Sequence, residues 1–244
     1  MRHYLILLIA SGLLLACGKT ATIGDVFKSN IMLEMDTINA DGTTTDTVSI
    51  VLNSDADSNR RNVLFTTTAG TWLNGQNGQV TAPATFINTK LVAKAVLQAP
   101  MSAGTIYVTA APSTASPNGD YTKLDSIIVN KVLPANMDLE PSSFGTGANF
   151  TSFDTLVATL KGSAHQKVST GAQVQFVDVF TNGQNAGGRF RDQVLSSNAN
   201  SQVSAIYSSA QAPIGTNIYI IVSVTSPTAL GKPIIDTVTV TINQ

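Results

Sequence analysis

An internal duplication constrains this chain more than any other feature. Asn74-Gly75-Gln76-Asn77 recurs unchanged 108 residues later as Asn182-Gly183-Gln184-Asn185. Five looser pairs keep the same order at offsets of 108 to 113 residues. They are Asp46-Thr47-Val48 with Asp154-Thr155-Leu156, Val63-Leu64-Phe65 with Val174-Gln175-Phe176, Gln98-Ala99-Pro100 with Gln211-Ala212-Pro213, Ile106-Tyr107-Val108 with Ile218-Tyr219-Ile220, and Asp125-Ser126-Ile127 with Asp236-Thr237-Val238. Since loops tolerate insertions, the drift in offset indicates one unit of about 110 residues present twice.

Both units have the pattern of short β-strands separated by turns. Runs rich in Val, Ile and Thr alternate with clusters of Gly, Asn and Pro, without sustained helical periodicity. A hydrophobic content of 43% excludes a disordered chain. We therefore predict an all-β protein of two tandem immunoglobulin-like β-sandwiches, over residues 31–132 and 133–244, with the boundary beside Pro134.

The alternation of side chains along a strand predicts the two cores. Val63 and Phe65 lie on one face of their strand, and Val174 and Phe176 lie on one face of theirs. We expect these faces to pack between the sheets. Residues 80–87 are predicted to form one further strand.

The first seventeen residues have the pattern of a secretory signal. A charged start precedes a short apolar run, which is too short to span a membrane, and small Ala16 precedes Cys17, the only cysteine. Leu14-Leu15-Ala16-Cys17 also resembles the lipobox of bacterial lipoproteins. That resemblance implies a signal peptide over residues 1–16, diacylglyceryl and N-acyl groups on Cys17, and a lipidated tether over residues 17–30. A plain secretory signal with an incidental cysteine is the alternative.

The predicted location is the bacterial outer membrane, held through the lipid on Cys17. Gly18 does not resemble a signal for retention in the inner membrane. The sequence does not indicate which face of the membrane the protein occupies.

Val63-Leu64-Phe65-Thr66-Thr67-Thr68-Ala69-Gly70-Thr71 resembles a core strand of the bacterial immunoglobulin-like domains of invasin and intimin. Lys94-Ala95-Val96-Leu97, Gly104 and Tyr107-Val108-Thr109-Ala110 fit the order of the later elements. The second repeat keeps Val174-Gln175-Phe176 but loses the Thr-Ala-Gly element. The resemblance implies seven-stranded sandwiches used in tandem as a rod, a spacer or an adhesive surface. It implies no catalysis and supplies no functional residues.

No arrangement of residues in the sequence indicates an enzyme. His165 lies in a polar loop without a partner histidine, and no Gly-x-Ser-x-Gly motif precedes a helix. We predict no catalytic residue and no cofactor. The formal net charge of −1, without a large basic patch, argues against a nucleic-acid partner.

One loop partly matches a calcium-binding pattern. Oxygen-bearing side chains alternate at Asp55, Asp57 and Asn59. The positions that a calcium loop fills with Gly and Glu hold Arg60 and Thr66 instead. We assign no metal site, although the sequence leaves calcium binding by this loop open.

The remaining candidates concern binding. The basic pairs Arg60-Arg61 and Arg189/Arg191 could meet a carboxylate or an acidic glycan. Trp72 is interpreted as a residue of the core edge, with a sugar-stacking platform as the alternative. The predicted function is a lipid-anchored, non-catalytic envelope protein that serves as an adhesion or binding module or as a spacer, with a protein or glycan ligand. The alternative is a glycan-binding or accessory component of an outer-membrane uptake or enzyme complex.

Overall fold

The computed structural model describes residues 26–76, 78–114 and 121–243. These residues form 18 β-strands and one short 3-10 helix, Ser58–Arg60. The strands make four sheets, which pack in pairs around two hydrophobic cores. The predicted all-β fold of two sandwiches is confirmed.

The first sandwich contains ten strands. They are β1 (Met32–Leu33), β2 (Thr37–Asn39), β3 (Thr45–Leu52), β4 (Asn62–Thr67), β5 (Thr71–Trp72), β6 (Gln79–Pro83), β7 (Thr85–Ile87), β8 (Lys90–Gln98), β9 (Gly104–Pro112) and β10 (Lys123–Asn130). One sheet has the order β1-β3-β8-β5, with β7 also beside β8, and the other has the order β2-β10-β9-β4-β6. The single strand predicted over residues 80–87 is wrong, because the chain crosses between the sheets after Pro83, where Ala84 N–H donates to Arg61 O.

The second sandwich contains eight strands. They are β11 (Asn136–Pro141), β12 (Gly145–Thr146), β13 (Asp154–Lys161), β14 (Val174–Phe180), β15 (Arg189–Val194), β16 (Gln202–Ser208), β17 (Asn217–Val224) and β18 (Ile235–Ile242). The sheets have the orders β11-β13-β16-β15 and β12-β18-β17-β14. Strand β12 pairs parallel with β18, as β2 does with β10, whereas the other pairings between strands are antiparallel.

Strand register relates the two repeats. Phe65 pairs with Ala110, and Phe176 pairs with Val222 in the equivalent strands. The predicted correspondence of Asp125-Ser126-Ile127 with Asp236-Thr237-Val238 is displaced by two residues. Ile106 pairs with Ile127 whereas its equivalent Ile218 pairs with Val240, so β18 matches β10 at an offset of 113 rather than 111. The displacement keeps the same residues facing inward, because side chains alternate with a period of two.

The two cores have the predicted composition. Val63 and Phe65 are fully buried in the first core, and Val174 and Phe176 are buried in the second. The first core also contains Val26 and Phe27, which lie inside the predicted tether of residues 17–30. That boundary is wrong, because Val26 O accepts from Asn53 N–H and Phe27 forms a bridge with Leu52. Packed structure therefore begins before residue 31.

In each repeat the first two strands lie in different sheets, and a buried aspartate lies near the point where the chain crosses from one sheet to the other. In the first repeat, Met35 N–H, between β1 and β2, donates to Asp46 Oδ1 at 3.0 Å. In the second repeat, Thr146 on β12 donates to the Asp154 carboxylate. Both aspartates are buried, and neither Oδ2 atom has a partner. Burial raises the pKa of both carboxyl groups above the usual value, although these hydrogen bonds oppose the shift.

Ser169 connects the two sandwiches. Its hydroxyl donates to Ala40 O and accepts from Val132 N–H, both at 2.8 Å. The neighbouring Thr170 N–H donates to Met101 O at 2.9 Å. Ser169 is buried. The sandwiches therefore meet end to end, through buried hydrogen bonds from a loop of the second to two loops of the first.

Candidate functional site

Three places along the two sandwiches locate the candidate site. They are the end of the first sandwich at Val26, the junction between the sandwiches, and the opposite end of the second sandwich. Val26 lies beside the end of β3, and the junction at Ala40 lies beside the beginning of that strand. In the second sandwich, Ser169 and the adjoining loops face the junction. Its opposite end is formed by residues 147–153, 181–188 and 209–216, and the end of β18 at Ile242 lies there. This far end is separated from the junction by strands of about 20–27 Å.

A buried polar cluster fixes the beginning of β15 at the far end. Tyr207 Oη donates to Asp178 Oδ2 at 3.0 Å, and Gly188 N–H donates to the same oxygen at 2.7 Å. A Cβ atom on Gly188 would lie 2.4 Å from the Tyr207 ring, so the close approach requires glycine. Burial, together with the negative charge of Asp178, raises the pKa of Tyr207 far above its usual value. The hydroxyl therefore remains a hydrogen-bond donor, and Arg189 begins β15 from a fixed point.

The loop of residues 147–153 is also held in place. Phe150 has a positive φ of 61°, and its N–H donates to Ser209 O at 2.8 Å. Ser152 Oγ accepts from Gly147 N–H at 2.5 Å and lies 2.8 Å from Thr146 Oγ1. Because residues other than glycine rarely adopt positive φ, these contacts must hold the Phe150 backbone.

Two arginines of β15 lie over two phenylalanines of this loop. Arg189 Cζ is 4.2 Å from the Phe150 ring centroid, and Arg191 Cζ is 4.6 Å from the Phe153 ring centroid. Phe153 is 54% exposed, and both arginines are exposed. We call these four residues the Arg–Phe patch. Cation–π contacts of this length contribute about 0.5–1 kcal/mol at exposed sites, so the patch is held together without a salt bridge.

The patch has no carboxylate partner within the described chain. Among the described residues, Lys161 forms a salt bridge with Asp138. Within the same part of the chain, neither Arg189 nor Arg191 has a carboxylate oxygen within 4.0 Å. Each guanidinium therefore presents unpaired N–H donors to solvent. At least two further large apolar side chains are exposed at the same end, Phe144 and Ile214.

The positions of the first sandwich that correspond to the two arginines of the patch hold no arginine. Trp72 pairs with Leu97, and Phe190 pairs with Tyr207 in the second repeat, so Trp72 and Phe190 correspond. Arg189 and Arg191, which flank Phe190, then correspond to Thr71 and Leu73. In the first sandwich this end contacts Ser169 and Thr170, whereas in the second it carries the Arg–Phe patch.

Trp72 is a core residue. It is 1% exposed, its Nε1–H donates to Gly78 O at 3.0 Å, and its ring centroid is 5.8 Å from that of Phe65. An exposed sugar-stacking platform at Trp72 is thereby excluded. Trp72 has a counterpart in the second repeat, since Phe190 lies 5.9 Å from Phe176 in the equivalent arrangement.

The other sequence candidates lie apart from the patch. Exposed His165 occupies a turn with φ 58°, and its N–H donates to Gly162 O. Asp55, Asp57 and Asn59 are exposed in the loop between β3 and β4. In the part of the chain that the structure describes, no three His, Cys, Asp or Glu residues are placed together to hold a metal ion.

The first basic pair is used within its own sandwich. Arg60 Cζ lies 5.4 Å from the Tyr121 ring centroid, and Arg61 Nε donates to Ala56 O at 3.0 Å. The second pair forms half of the Arg–Phe patch. Sequence reasoning identified Arg189 and Arg191 but missed their phenylalanine partners.

The predicted lipidation residue, Cys17, lies outside the described residues. Among the residues that are described, no helix is both long and apolar enough to cross a membrane.

The fold is that of tandem immunoglobulin-like domains such as those of invasin. Over 87% of its length it matches the crystal structure of invasin, a bacterial integrin-binding protein, with a TM-score of 0.59 and 18% identity, covering 38% of that chain. It also matches the Yersinia pseudotuberculosis adhesin InvE over 91% of its length, with a TM-score of 0.48 and 18% identity, covering 61% of that chain. The chain thus spans less than two thirds of either structure.

No protein-family model matches the sequence, and no curated protein is significantly similar to it. The predicted resemblance to invasin domains is confirmed at the level of the fold. At this identity the likeness establishes the fold alone.

Proposed function

We propose that this chain is a lipid-anchored, non-catalytic protein of the bacterial outer membrane that acts as an adhesion or binding module. Residues 1–16 serve as the signal peptide, Cys17 carries the lipid, and the residues before Val26 form the tether. The two sandwiches hold a ligand-binding surface away from the membrane, and the ligand is a protein. The fold of invasin domains supports a binding role.

The placement of the Arg–Phe patch carries the proposal. Val26, where the described chain begins, lies at the end of the first sandwich remote from the junction. The patch lies at the end of the second sandwich remote from the same junction. Two sandwiches in line separate these ends by about 50 Å, since each strand of eight residues spans about 27 Å. A spacer alone would not require unpaired arginines over an exposed phenylalanine at this end.

Substitution of Cys17 tests the anchor. In cells that grow with labelled palmitate, the wild-type protein is expected to take up label and to sediment with outer membranes. Cys17→Ser should carry no label and should lose outer-membrane attachment, because two or more acyl chains are needed for stable anchoring. Ser11→Ala, within the same segment, is the matched control and should behave as the wild type. Label retained by Cys17→Ser would refute lipidation at this residue.

Protease treatment of intact cells tests the adhesive role. A surface adhesin should be cleaved before lysis, and its loss should reduce attachment of the cells to host or partner cells. Protein that becomes accessible only after lysis would instead face the periplasm, and adhesion to external surfaces would be ruled out.

A further inference from the structure

We infer that the Arg–Phe patch recognises an acidic segment of a partner protein in which carboxylates alternate with apolar side chains. This inference rests on the proposed binding function and names the chemistry of the ligand. Arg189 and Arg191 would bind the carboxylates, and the exposed part of Phe153 would pack against the apolar side chains.

The geometry leaves the hydrogen-bonding edges of both guanidiniums available. Each guanidinium makes a cation–π contact, with Cζ 4.2 Å from the Phe150 centroid for Arg189 and 4.6 Å from the Phe153 centroid for Arg191, and neither guanidinium has a protein hydrogen-bond partner among the described residues. The N–H groups at its edge can then form paired hydrogen bonds to one carboxylate. No carboxylate among the described residues occupies either arginine.

The arginines are also positioned before a ligand arrives. Arg189 follows Gly188, whose N–H is bound to the buried Asp178 carboxylate. Arg191 pairs with Ile206 on β16, so its backbone is fixed in the sheet. Because the long arginine side chains already rest on aromatic rings, less conformational entropy is lost when a ligand binds.

The surroundings of the patch favour a protein ligand over an acidic glycan. Phenylalanine rings have no polar group, and the exposed side chains of β15 include Val194, which is 46% exposed. Sugar hydroxyls would lie against these apolar groups without hydrogen-bond partners, which costs free energy. Arginine and aromatic residues are enriched among the residues that contribute most to protein–protein binding.

A binding titration tests this chemistry with full-length lipidated protein in detergent. The probe is a fluorescent twelve-residue peptide of alternating Glu and Leu or Phe. We expect it to bind, and we expect the double variant Arg189→Gln/Arg191→Gln to weaken binding by about tenfold or more, since charge-assisted pairs are lost. Raising the salt concentration about tenfold should also weaken binding to the wild type, because the patch is exposed to solvent.

Two controls separate the patch from general charge. Arg60→Gln removes an arginine that also lies over an aromatic ring but in the first sandwich, and binding should stay within about twofold of the wild type. A peptide with Lys in place of Glu should not bind. Circular dichroism should show unchanged folding in each variant, since the substituted side chains are on the surface.

The inference is overturned if the acidic peptide does not bind, if the double arginine variant binds it as well as the wild type does, or if the Lys peptide binds equally. Stronger binding of polygalacturonate than of the peptide, at equal carboxylate concentration, would assign the patch to an acidic glycan and would also overturn it. Membrane fractionation of Cys17→Ser is independent of these outcomes, so failure of the inference and failure of the anchor are distinguishable.

Discussion

Phe190 occupies in the second sandwich the position that Trp72 occupies in the first. Each ring packs on the equivalent core phenylalanine, at 5.8 Å for Trp72 on Phe65 and 5.9 Å for Phe190 on Phe176. In the second repeat the ring of Tyr207 also lies 5.1 Å from Phe190. The same aromatic contact is therefore built twice, with an indole in one repeat and a smaller ring supplemented by a tyrosine in the other.

This correspondence predicts how Trp72 tolerates substitution. Trp72→Phe should lower the free energy of unfolding by about 1–2 kcal/mol, because the Nε1–H bond to Gly78 O and part of the buried area are lost. Trp72→Ala should lower it by about 3–5 kcal/mol, because a cavity remains. Urea unfolding followed by circular dichroism gives both values. Equal losses for the two variants would show that a phenyl ring cannot fill the site.

The two core phenylalanines should each be essential to their own sandwich. Phe65→Ala and Phe176→Ala are each expected to cost about 3–5 kcal/mol, as for other buried aromatic residues. Phe153→Ala, at a phenylalanine that is 54% exposed, is the matched control and should change stability by less than about 1 kcal/mol. Denaturant unfolding measures all three, and a loss well under 1 kcal/mol for either core variant would contradict the register of β4 or β14.

Asp46 and Asp154 predict a specific dependence of stability on pH. Burial raises the pKa of both carboxyl groups in the folded chain above the usual value of 3.8. A folded carboxyl with a raised pKa binds its proton more tightly than the unfolded one, so stability falls as pH rises from the unfolded value through the folded value. Asn at either position removes the charge and keeps an oxygen acceptor. The stability of Asp46→Asn and Asp154→Asn relative to the wild type should therefore increase as pH rises from about 3.5 to 7.

Two comparisons make that prediction specific. Asp46→Ala removes the acceptor of Met35 N–H and should cost about 1–3 kcal/mol at any pH, since a backbone donor loses its partner. Asp55→Asn changes an exposed aspartate and is the matched control. Thermal unfolding across this pH range supplies the measurement. A wild type that gains stability over both asparagine variants as pH rises would show that the buried charges are compensated.

Particular residues explain which parts of the structure could be predicted. The Val-x-Phe strands at Phe65 and Phe176 were predictable, because alternation and burial act within a few residues. The match between Trp72 and Phe190 was not, because Trp72 precedes the repeated Asn-Gly turn and Phe190 follows it. The predicted equivalence of the two Asn-Gly-Gln-Asn turns is therefore wrong, since one turn follows and the other precedes two residues that occupy the same place.

Of the Arg–Phe patch, the sequence predicted the two arginines but not the two phenylalanines. Arg189 and Arg191 are two residues apart in sequence and share a strand face, whereas Phe150 and Phe153 come from a loop about 40 residues earlier. Their contact depends on the pairing of β13, β16 and β15, which a local pattern does not contain. The pair Val26 and Phe27 was missed because two apolar residues after a polar segment do not form a periodic pattern.

Ser169 is expected to control the angle between the sandwiches. Its hydroxyl both donates to Ala40 O and accepts from Val132 N–H within a buried junction. Ser169→Ala would leave both backbone groups without these bonds, at a cost of about 1–3 kcal/mol for each buried group that stays unsatisfied. The junction should then loosen while each core remains packed, because Ser169 belongs to neither hydrophobic core.

Electron paramagnetic resonance can measure this change as a distribution of distances between spin labels. Labels on cysteines introduced at the exposed positions Lys94 and Lys232 report one distance across the junction. The wild type should give a narrow distribution and Ser169→Ala a broader one. Ser163→Ala, which changes an exposed serine beside the junction, is the matched control and should leave the distribution narrow. If Ser169→Ala also leaves it narrow, other contacts of the junction, among them the Thr170 N–H bond to Met101 O, hold the sandwiches in line, and the serine hydroxyl is not required.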